Sequence, residues 1–163
     1  MVYYLPIDCK GRNDMRAVVQ KVNFSNVQVE NIEIGKINRG LLVFLGIKDD
    51  DAEKDLLYLV DKIVHLRIFE DQEGKMNLSL KDINGELLVI SQFTLYGDCK
   101  KGRRPNFMKA AKPEQANLLY ERFIEETRKM GFDTQTGRFQ SHMIVNLQND
   151  GPVTILIDSE KQI

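Results

Sequence analysis

The sequence predicts a single α+β domain, in which a mainly antiparallel, strongly curved sheet or barrel carries about two helices on its outside. Three observations support this prediction. Segments with the alternation of a β-strand, or with the short apolar run of a buried strand, number seven or so. Helical spacing occurs in about two segments, and most connections are too short for the helical crossovers of parallel strands. A chain of 163 residues is long enough to bury its own core.

The first half of the chain begins with strand-like segments. Residues 15–24 and 26–37 alternate apolar and polar side chains, and we expect a turn near Asn31. Residues 40–47 are apolar almost throughout, which is typical of a buried strand. Residues 1–14 contain turn-forming residues instead, so we expect an extension or tag there, followed by a single domain of residues 15–163.

Two segments have helical spacing. The first helix is predicted within residues 49–69, with Asp50 or Asp51 capping its start. Its apolar face consists of Leu56, Leu59, Val60, Ile63 and Val64. The second helix is predicted to begin at Pro113 and to stop at Gly131. Its apolar face is predicted to be Leu118, Leu119, Phe123 and Ile124.

The remaining segments complete the predicted sheet. Residues 71–86 are expected to form a loop or hairpin that contains an Asn84-Gly85 turn. Residues 86–97 form the longest β-rich run, and a basic loop follows it. Two or three strands close the chain, in the segments "FDTQTGRF", "HMIVNLQ" and "PVTILID".

Composition and missing motifs exclude several classes of protein. The net charge is −1, so a nucleic acid would have to bind a local basic patch. Two cysteines predict no disulfide framework and fit a reducing cytosol. No apolar run approaches the roughly 20 residues of a membrane span, and we expect no secretory signal. Phosphate-binding glycine motifs, HExxH and CxxC are absent, and with His65 and His142 as the two histidines we expect no metal and no cofactor.

The segment "SQFTLYGD" is the first candidate for chemistry. If it is a strand, Ser91, Phe93 and Leu95 face one way, and Gln92 and Thr94 face the other. An amide and a hydroxyl placed side by side can donate to an ester carbonyl or orient a water. The alternative is a polar strand surface that faces solvent.

The Gly151-Pro152 pair is the second candidate. Proline lacks a backbone donor and is tolerated in a sheet at an edge, a strand start or a bulge. A cis bond here would turn two carbonyls the same way and form a rigid pair of acceptors. The alternative is an ordinary turn at the start of a strand.

The third candidate is the basic loop. Four cationic side chains fall within five positions, and they are Lys100, Lys101, Arg103 and Arg104. Such a cluster is typical of a phosphate-binding surface, and its alternative is a solvated charged loop.

Taken together, these segments resemble the D-aminoacyl-tRNA deacylase family. The resemblance runs from Met15 to the end of the chain and is carried by "SQFTLYGD", "KKGRRPNF", "AAKP" and "TGRFQSHMIVNLQNDGPVTILID". It implies that family's curved β fold and a cytoplasmic homodimer without a cofactor. The implied reaction is hydrolysis of the ester between a D-amino acid and the 3′-terminal adenosine of tRNA. The alternative function is a non-catalytic tRNA- or RNA-binding module.

The resemblance also assigns roles to residues. It implies catalytic roles for Ser91, Gln92 and Thr94. It implies substrate binding by Gly151, Pro152, Phe93, Phe139 and Met143, with a cis Gly-Pro pair entering the partner's site. It implies tRNA phosphate contacts by Lys100, Lys101, Arg103 and Arg104. In one view of the family, Thr94 is the nucleophile. In the other, the tRNA 2′-OH assists the reaction and protein backbone groups only position the substrate. We favour positioning by backbone groups and Gln92, since no base lies near Thr94 in sequence.

Chirality has a physical basis in this interpretation. One methylene is worth about 1–3 kcal/mol, so side-chain contacts would separate D from L esters poorly. A rigid main-chain wall excludes an L side chain and cannot exclude glycine, so we expect rejection of L-aminoacyl-tRNA and cleavage of glycyl-tRNA mischarged on tRNA(Ala). At Lys21 many family members have an arginine that is thought to hold the Gly-Pro loop. Lysine keeps the charge and lacks the planar fork, so the loop is either held less firmly or held by another group.

Overall fold

The computed structural model describes residues 14–163, so the expected extension lies outside the described residues except for Asp14. The strands are β1 (Arg16–Val29), β2 (Ile32–Ile37), β3 (Gly40–Gly46), β4 (Phe69–Glu70), β5 (Met76–Leu78), β6 (Glu86–Ser91), β7 (Thr134–Thr136) and β8 (Ile144–Asp158). The helices are α1 (Glu53–Val64) and α2 (Pro113–Lys129). Within this part of the chain, neither helix is long and apolar enough to cross a membrane.

Strand β1 organises the sheet because it pairs along both edges. One edge pairs antiparallel with β8, and the other pairs antiparallel with β3 in its first half and β2 in its second half. β3 then pairs parallel with β6, and β6 pairs parallel with β7. The α+β class with two helices is confirmed, while the sheet is mixed, because α1 and α2 lie in the two connections that return the chain to a parallel neighbour.

Glycines allow the sheet to curl until it is nearly closed into a barrel. A Cβ added to Gly35 on β2 would lie 2.8 Å from the carbonyl oxygen of Thr136 on β7. A Cβ added to Gly40 on β3 would lie 1.9 Å from the carbonyl oxygen of Glu86 on β6. Backbones approach here more closely than any side chain permits, so glycine is required at both positions.

The sheet separates two apolar clusters. The larger cluster lies between the sheet and the helices, and the smaller one lies inside the curl. In β3, Leu41 and Val43 face the larger cluster and Leu42 faces the smaller one. This burial on both faces explains the continuous apolar run and confirms the predicted buried strand.

Helix α1 has the predicted apolar face, since all five predicted residues are buried. The prediction of an aspartate cap was wrong. The cap position is Ala52, whose backbone N–H donates to the Asp55 carboxylate at 3.0 Å. The Asp51 carboxylate instead accepts from the backbone N–H groups of Lys48 at 2.6 Å and Asp14 at 2.9 Å.

Helix α2 begins and ends where predicted, but its buried side differs from the predicted apolar face. Pro113 is its first residue, and Gly131, with φ +91°, lies just beyond its end, as predicted. Leu118 is 67% exposed, so its assignment to the apolar face was wrong. Tyr120 takes part in the buried side instead, and its hydroxyl donates to the Val89 carbonyl at 2.7 Å.

Two strand boundaries also differ from prediction. β1 continues without a break through Ser25, which is buried and donates its hydroxyl to the Asn146 carbonyl at 2.8 Å. The hairpin to β2 turns at Glu30 and Asn31, both with positive φ, which confirms the turn near Asn31. The last two predicted strands are one continuous strand, β8, with Gly151-Pro152 inside it.

We expect ionisation of Asp51 to weaken the fold. Burial raises the pKa of Asp51 from 3.8 to about 6, so the folded chain binds this proton more tightly than the unfolded chain. The contribution of this group to the free energy of unfolding is therefore fully present below pH 3.8 and is lost as the pH rises through about 6. Urea denaturation across this range should show Asp51→Asn gaining stability relative to wild type as the pH rises. The exposed Asp50→Asn is the matched control, and parallel curves for wild type and Asp51→Asn would contradict the expectation.

Candidate active site

The candidate site forms where β6 leaves the sheet. The sequence predicted a strand through residue 97, and this was wrong, because β6 ends at Ser91 and Phe93–Tyr96 form a 3₁₀ turn. The Gln92 backbone N–H makes the final sheet hydrogen bond, to the Leu45 carbonyl at 2.8 Å. Beyond Gln92 the chain turns away from the sheet, and the next two residues, Phe93 and Thr94, are exposed.

Tyr96 pins this turn to the core. Its hydroxyl donates to the carbonyl oxygens of Gly46 and Asp14. The Arg16 guanidinium lies 5.1 Å from the ring centroid and donates to the Leu95 carbonyl at 3.2 Å. Burial raises the pKa of Tyr96 far above its usual range, so the phenol stays protonated and remains a donor. The position of the turn is therefore fixed by long-range contacts.

Gln92 and Thr94 lie side by side, as predicted, but they do so because of the 3₁₀ turn and not because they share one face of a strand. The Gln92 side-chain amide donates to the Thr94 hydroxyl, which is exposed. Among residues 14–163, no carboxylate or imidazole hydrogen-bonds to that hydroxyl. Within the described residues, the amide–hydroxyl pair therefore has no hydrogen-bonded base.

A cavity of about 780 Å³ opens beside the turn. The predicted residues that line it are Ser91, Gln92, Phe93, Phe139 and Met143. Thr94 does not line it and is joined to it through Gln92. Sequence reasoning missed Phe107 and Lys112, and it set aside His142, all of which line the cavity. Phe107 and Lys112 both follow the basic loop. They belong to the segments "KKGRRPNF" and "AAKP", which carried the resemblance, so the sequence did contain a signal for them.

Aromatic contacts shape the cavity walls. Phe93, which is 56% exposed, meets Phe107 edge to face with ring centroids 5.3 Å apart. Phe139, which also lines the cavity, packs against Tyr120 with ring centroids 6.1 Å apart. Met143 lies over Gly137, where an added Cβ would come within 2.5 Å of the Met143 sulfur. The cavity lining therefore combines aromatic and aliphatic side chains with the polar residues Ser91, Gln92, Lys112 and His142.

The basic loop extends from the same turn. An antiparallel bridge between Asp98 and Asn106 closes it, with backbone hydrogen bonds of 2.8 and 3.0 Å. The predicted phosphate contacts lie exposed between these two residues, and they are Lys100, Lys101, Arg103 and Arg104. Within the part of the chain that the structure describes, none of the four forms an ion pair. The loop therefore presents unneutralised positive charge beside a cavity wall.

Gly151 and Pro152 lie apart from the cavity of their own chain. They are exposed and do not line it. The Gly151–Pro152 peptide bond is cis. In the β1–β8 register, Gln20 faces Thr154 and Val22 faces Asn149, so residues 150–153 bulge out opposite Lys21. This bulge is what allows a proline to sit inside a long strand.

The described residues also place no metal site at the cavity. Within residues 14–163, no three His, Cys, Asp or Glu side chains are grouped so that they could hold a metal ion.

Comparisons with known proteins agree on one family. The family model described as D-Tyr-tRNA(Tyr) deacylase matches residues 18–158. The chain is 63% identical over 149 residues to a D-aminoacyl-tRNA deacylase of Natranaerobius thermophilus, a match that covers 91% of this chain and 99% of the relative. It is 61% identical over 147 residues to a D-aminoacyl-tRNA deacylase of Clostridioides difficile, covering 90% of this chain and 99% of that protein.

Solved structures share the fold. The structure of a c-Myc DNA Unwinding Element Binding Protein has a TM-score of 0.83 and 42% identity, covering 87% of this chain and 97% of that one. The structure of a probable eukaryotic D-amino acid tRNA deacylase has a TM-score of 0.76 and 20% identity, covering 89% of this chain and 99% of that one, and its likeness shows the fold alone. On the family match and the identity to its relatives, the chain belongs to the D-Tyr-tRNA(Tyr) deacylase family, whose members are hydrolases of the aminoacyl-tRNA ester bond.

Proposed function

We propose that this protein hydrolyses the ester between a D-amino acid and the 3′-terminal adenosine of tRNA, rejects L-aminoacyl esters, and also cleaves glycyl-tRNA mischarged on tRNA(Ala). One observation carries the proposal. In a chain of this family, the cavity brings Ser91, Gln92 and Phe93 together with Phe139 and Met143, which are five of the eight catalytic and substrate-binding residues that the resemblance implies.

Main-chain groups supply the polarisation in this proposal. The first N–H groups of a helical turn lack partners within the turn. In the described chain, the N–H groups of Phe93 and Thr94 donate to no protein acceptor, and Phe93 lines the cavity. We propose that they and the Gln92 amide polarise the ester carbonyl and position the attacking group, as oxyanion-hole donors do. An aminoacyl ester is already reactive, so modest polarisation is sufficient.

The exposed Gly151-Pro152 bulge supports a homodimer. Because these residues lie outside their own chain's cavity, we propose that they enter the cavity of a partner subunit. There the bulge forms a rigid main-chain wall against an L side chain. β8 also exposes Ile144 and Leu156, apolar side chains that a dimer interface would cover.

The basic loop supports tRNA as the substrate. Its four unpaired cations are exposed beside Phe107, which lines the cavity, and we propose that they bind phosphates close to the 3′ end. A tRNA substrate implies a cytoplasmic location, which fits the two cysteines of the sequence.

The second candidate function is a nucleic-acid-binding module without catalysis. It is favoured by the same unpaired cations, and the 42% identical protein of known structure is named for binding a DNA unwinding element. Such a module would bind tRNA in a salt-dependent way and would show no preference between D and L esters.

A panel of charged tRNAs tests the proposed reaction. We expect rapid loss of the ester from D-tyrosyl-tRNA, no loss from L-tyrosyl-tRNA above the spontaneous rate, and faster cleavage of glycyl-tRNA(Ala) than of L-alanyl-tRNA(Ala). Glycine is cleaved because it has no Cβ for a steric wall to repel. Survival of both tyrosyl esters while tRNA still binds would support the non-catalytic module. Equal rates for glycyl- and L-alanyl-tRNA would contradict steric exclusion.

Substitution of Thr94 distinguishes positioning from nucleophilic attack. We expect Thr94→Ala to lower kcat by roughly ten-fold or less, because it removes one neutral hydrogen bond to Gln92, worth about 0.5–1.5 kcal/mol. Single-turnover deacylation of D-tyrosyl-tRNA measures this. Thr94→Ser keeps the hydroxyl and is the matched control. A loss greater than roughly 10³-fold for alanine, with serine active, would identify a nucleophile instead.

Mixed dimers test whether the bulge acts in the partner's site. Gly151→Ala should distort the bulge and so abolish its function, because φ at residue 151 is +120° and an added Cβ would lie 2.8 Å from the Val153 side chain. Gln92→Ala should inactivate the cavity by loss of a donor, at a cost of about 10²-fold or more. If the loop acts across the interface, re-associating the two variants restores about a quarter of wild-type activity, since half of the dimers carry one intact site.

The control for the mixed dimers carries both substitutions in one chain. Mixing this double variant with Gln92→Ala creates no intact site and should restore nothing. An absence of recovery in the first mixture, with hybrid dimers demonstrated by mass, would mean that the bulge does not complete a partner's site.

A further inference from the structure

A fully buried lysine lies opposite the Gly151-Pro152 bulge. Lys21 is 0% exposed and is one of the largest fully buried side chains among the described residues. Its ammonium Nζ lies 2.6 Å from the Glu70 carboxylate and 3.4 Å from the Asp150 carboxylate. A buried ammonium is tolerated when it is paired, so these carboxylates determine where the Lys21 side chain ends.

Lys21 is connected to both ends of the bulge. Its ammonium pairs with Asp150, the residue immediately before Gly151. Its backbone carbonyl accepts a hydrogen bond from the Asn149 side-chain amide at 3.0 Å, and the same amide donates to the Val153 carbonyl at 2.9 Å. Lys21 therefore contacts Asn149 and Asp150 directly, and the Asn149 amide links it to Val153 at the far end of the bulge.

Glu70 fixes the position of the ammonium. It lies on the short strand β4 next to Phe69, which is fully buried in the larger apolar cluster and therefore anchors the strand. The hydrogen bond from Lys21 lowers the pKa of the Glu70 carboxyl, so this group is ionised at neutral pH. Glu70 is also the nearer of the two carboxylates. It therefore holds the Lys21 ammonium at a position from which the ammonium can also pair with Asp150.

We propose that Glu70 is a positioning residue for the Gly151-Pro152 bulge and acts on it through Lys21. The inference deepens the proposed function, because it rests on the bulge being the wall that excludes L side chains. It also identifies the groups that hold the loop in a chain with lysine in place of arginine. Without the Glu70 charge, the Lys21 ammonium stays paired with Asp150 but is no longer fixed to β4. It can then move together with Asp150, so the bulge becomes more mobile relative to the sheet.

The test replaces Glu70 by glutamine, which keeps the shape and removes the charge. We expect Glu70→Gln to lower the ratio of D-tyrosyl-tRNA to L-tyrosyl-tRNA cleavage by about ten-fold, mainly by admitting the L ester, in addition to the fall in Tm that follows from removing a charged partner of a buried ammonium. Glu73→Gln is the matched control, because Glu73 lies in the same hairpin and pairs with Lys75 at an exposed site. A merely structural role for Glu70 would lower Tm and leave the D-to-L ratio unchanged.

A second measurement is independent of activity. Backbone ¹⁵N order parameters of Gly151 and Val153 should fall from about 0.85 towards 0.6 in Glu70→Gln and stay unchanged in Glu73→Gln. Identical ratios and order parameters for the two variants would overturn the positioning role. If wild type cleaves neither ester, the proposed function fails, while the order parameters still decide whether Glu70 holds the bulge.

Discussion

The pairing of β1 along both of its edges is the constraint on which the rest of the structure depends. One edge holds β8, which carries the Gly151-Pro152 bulge, and the other leads through β3 to β6, which ends at the cavity. Side chains alternate along β1, so a slip of one residue would exchange its buried and exposed sides. The register that buries Val19 and Lys21 therefore also sets the bulge and the cavity in their places.

The chemistry of the site depends on where the sheet stops. Tyr96 fixes a 3₁₀ turn immediately after β6, and this turn leaves the N–H groups of Phe93 and Thr94 without acceptors among residues 14–163. The proposed site, which uses backbone groups, needs few reactive side chains. The proposal therefore accounts for a sequence that has no metal motif or nucleophile arrangement of a familiar kind in a chain that belongs to a family of hydrolases.

Lys21 connects the stability of the core to the geometry of the bulge. A charge in the interior is expensive unless it is paired, so the positions of Glu70 and Asp150 are constrained by folding itself. The same contacts then determine where residues 150–153 emerge from the sheet. In the proposed function this bulge acts as a rigid wall, and a contact with the buried Lys21 ammonium restrains it more than a surface ion pair, worth about 0–1 kcal/mol, would.

The sequence by itself determined which segments are buried and where the second helix begins and ends, because apolar periodicity, proline and glycine act locally. It also contained the motifs that identify the family. The tertiary structure alone decided the end of β6, since its sequence stays strand-like and the turn depends on distant partners of Tyr96. The same holds for the outward orientation of Leu118, for Asp51 accepting hydrogen bonds outside its helix, and for the pairing of Lys21 with Glu70. Periodicity reports which side of an element is apolar, whereas the partner of a polar group is set by how distant segments pack together.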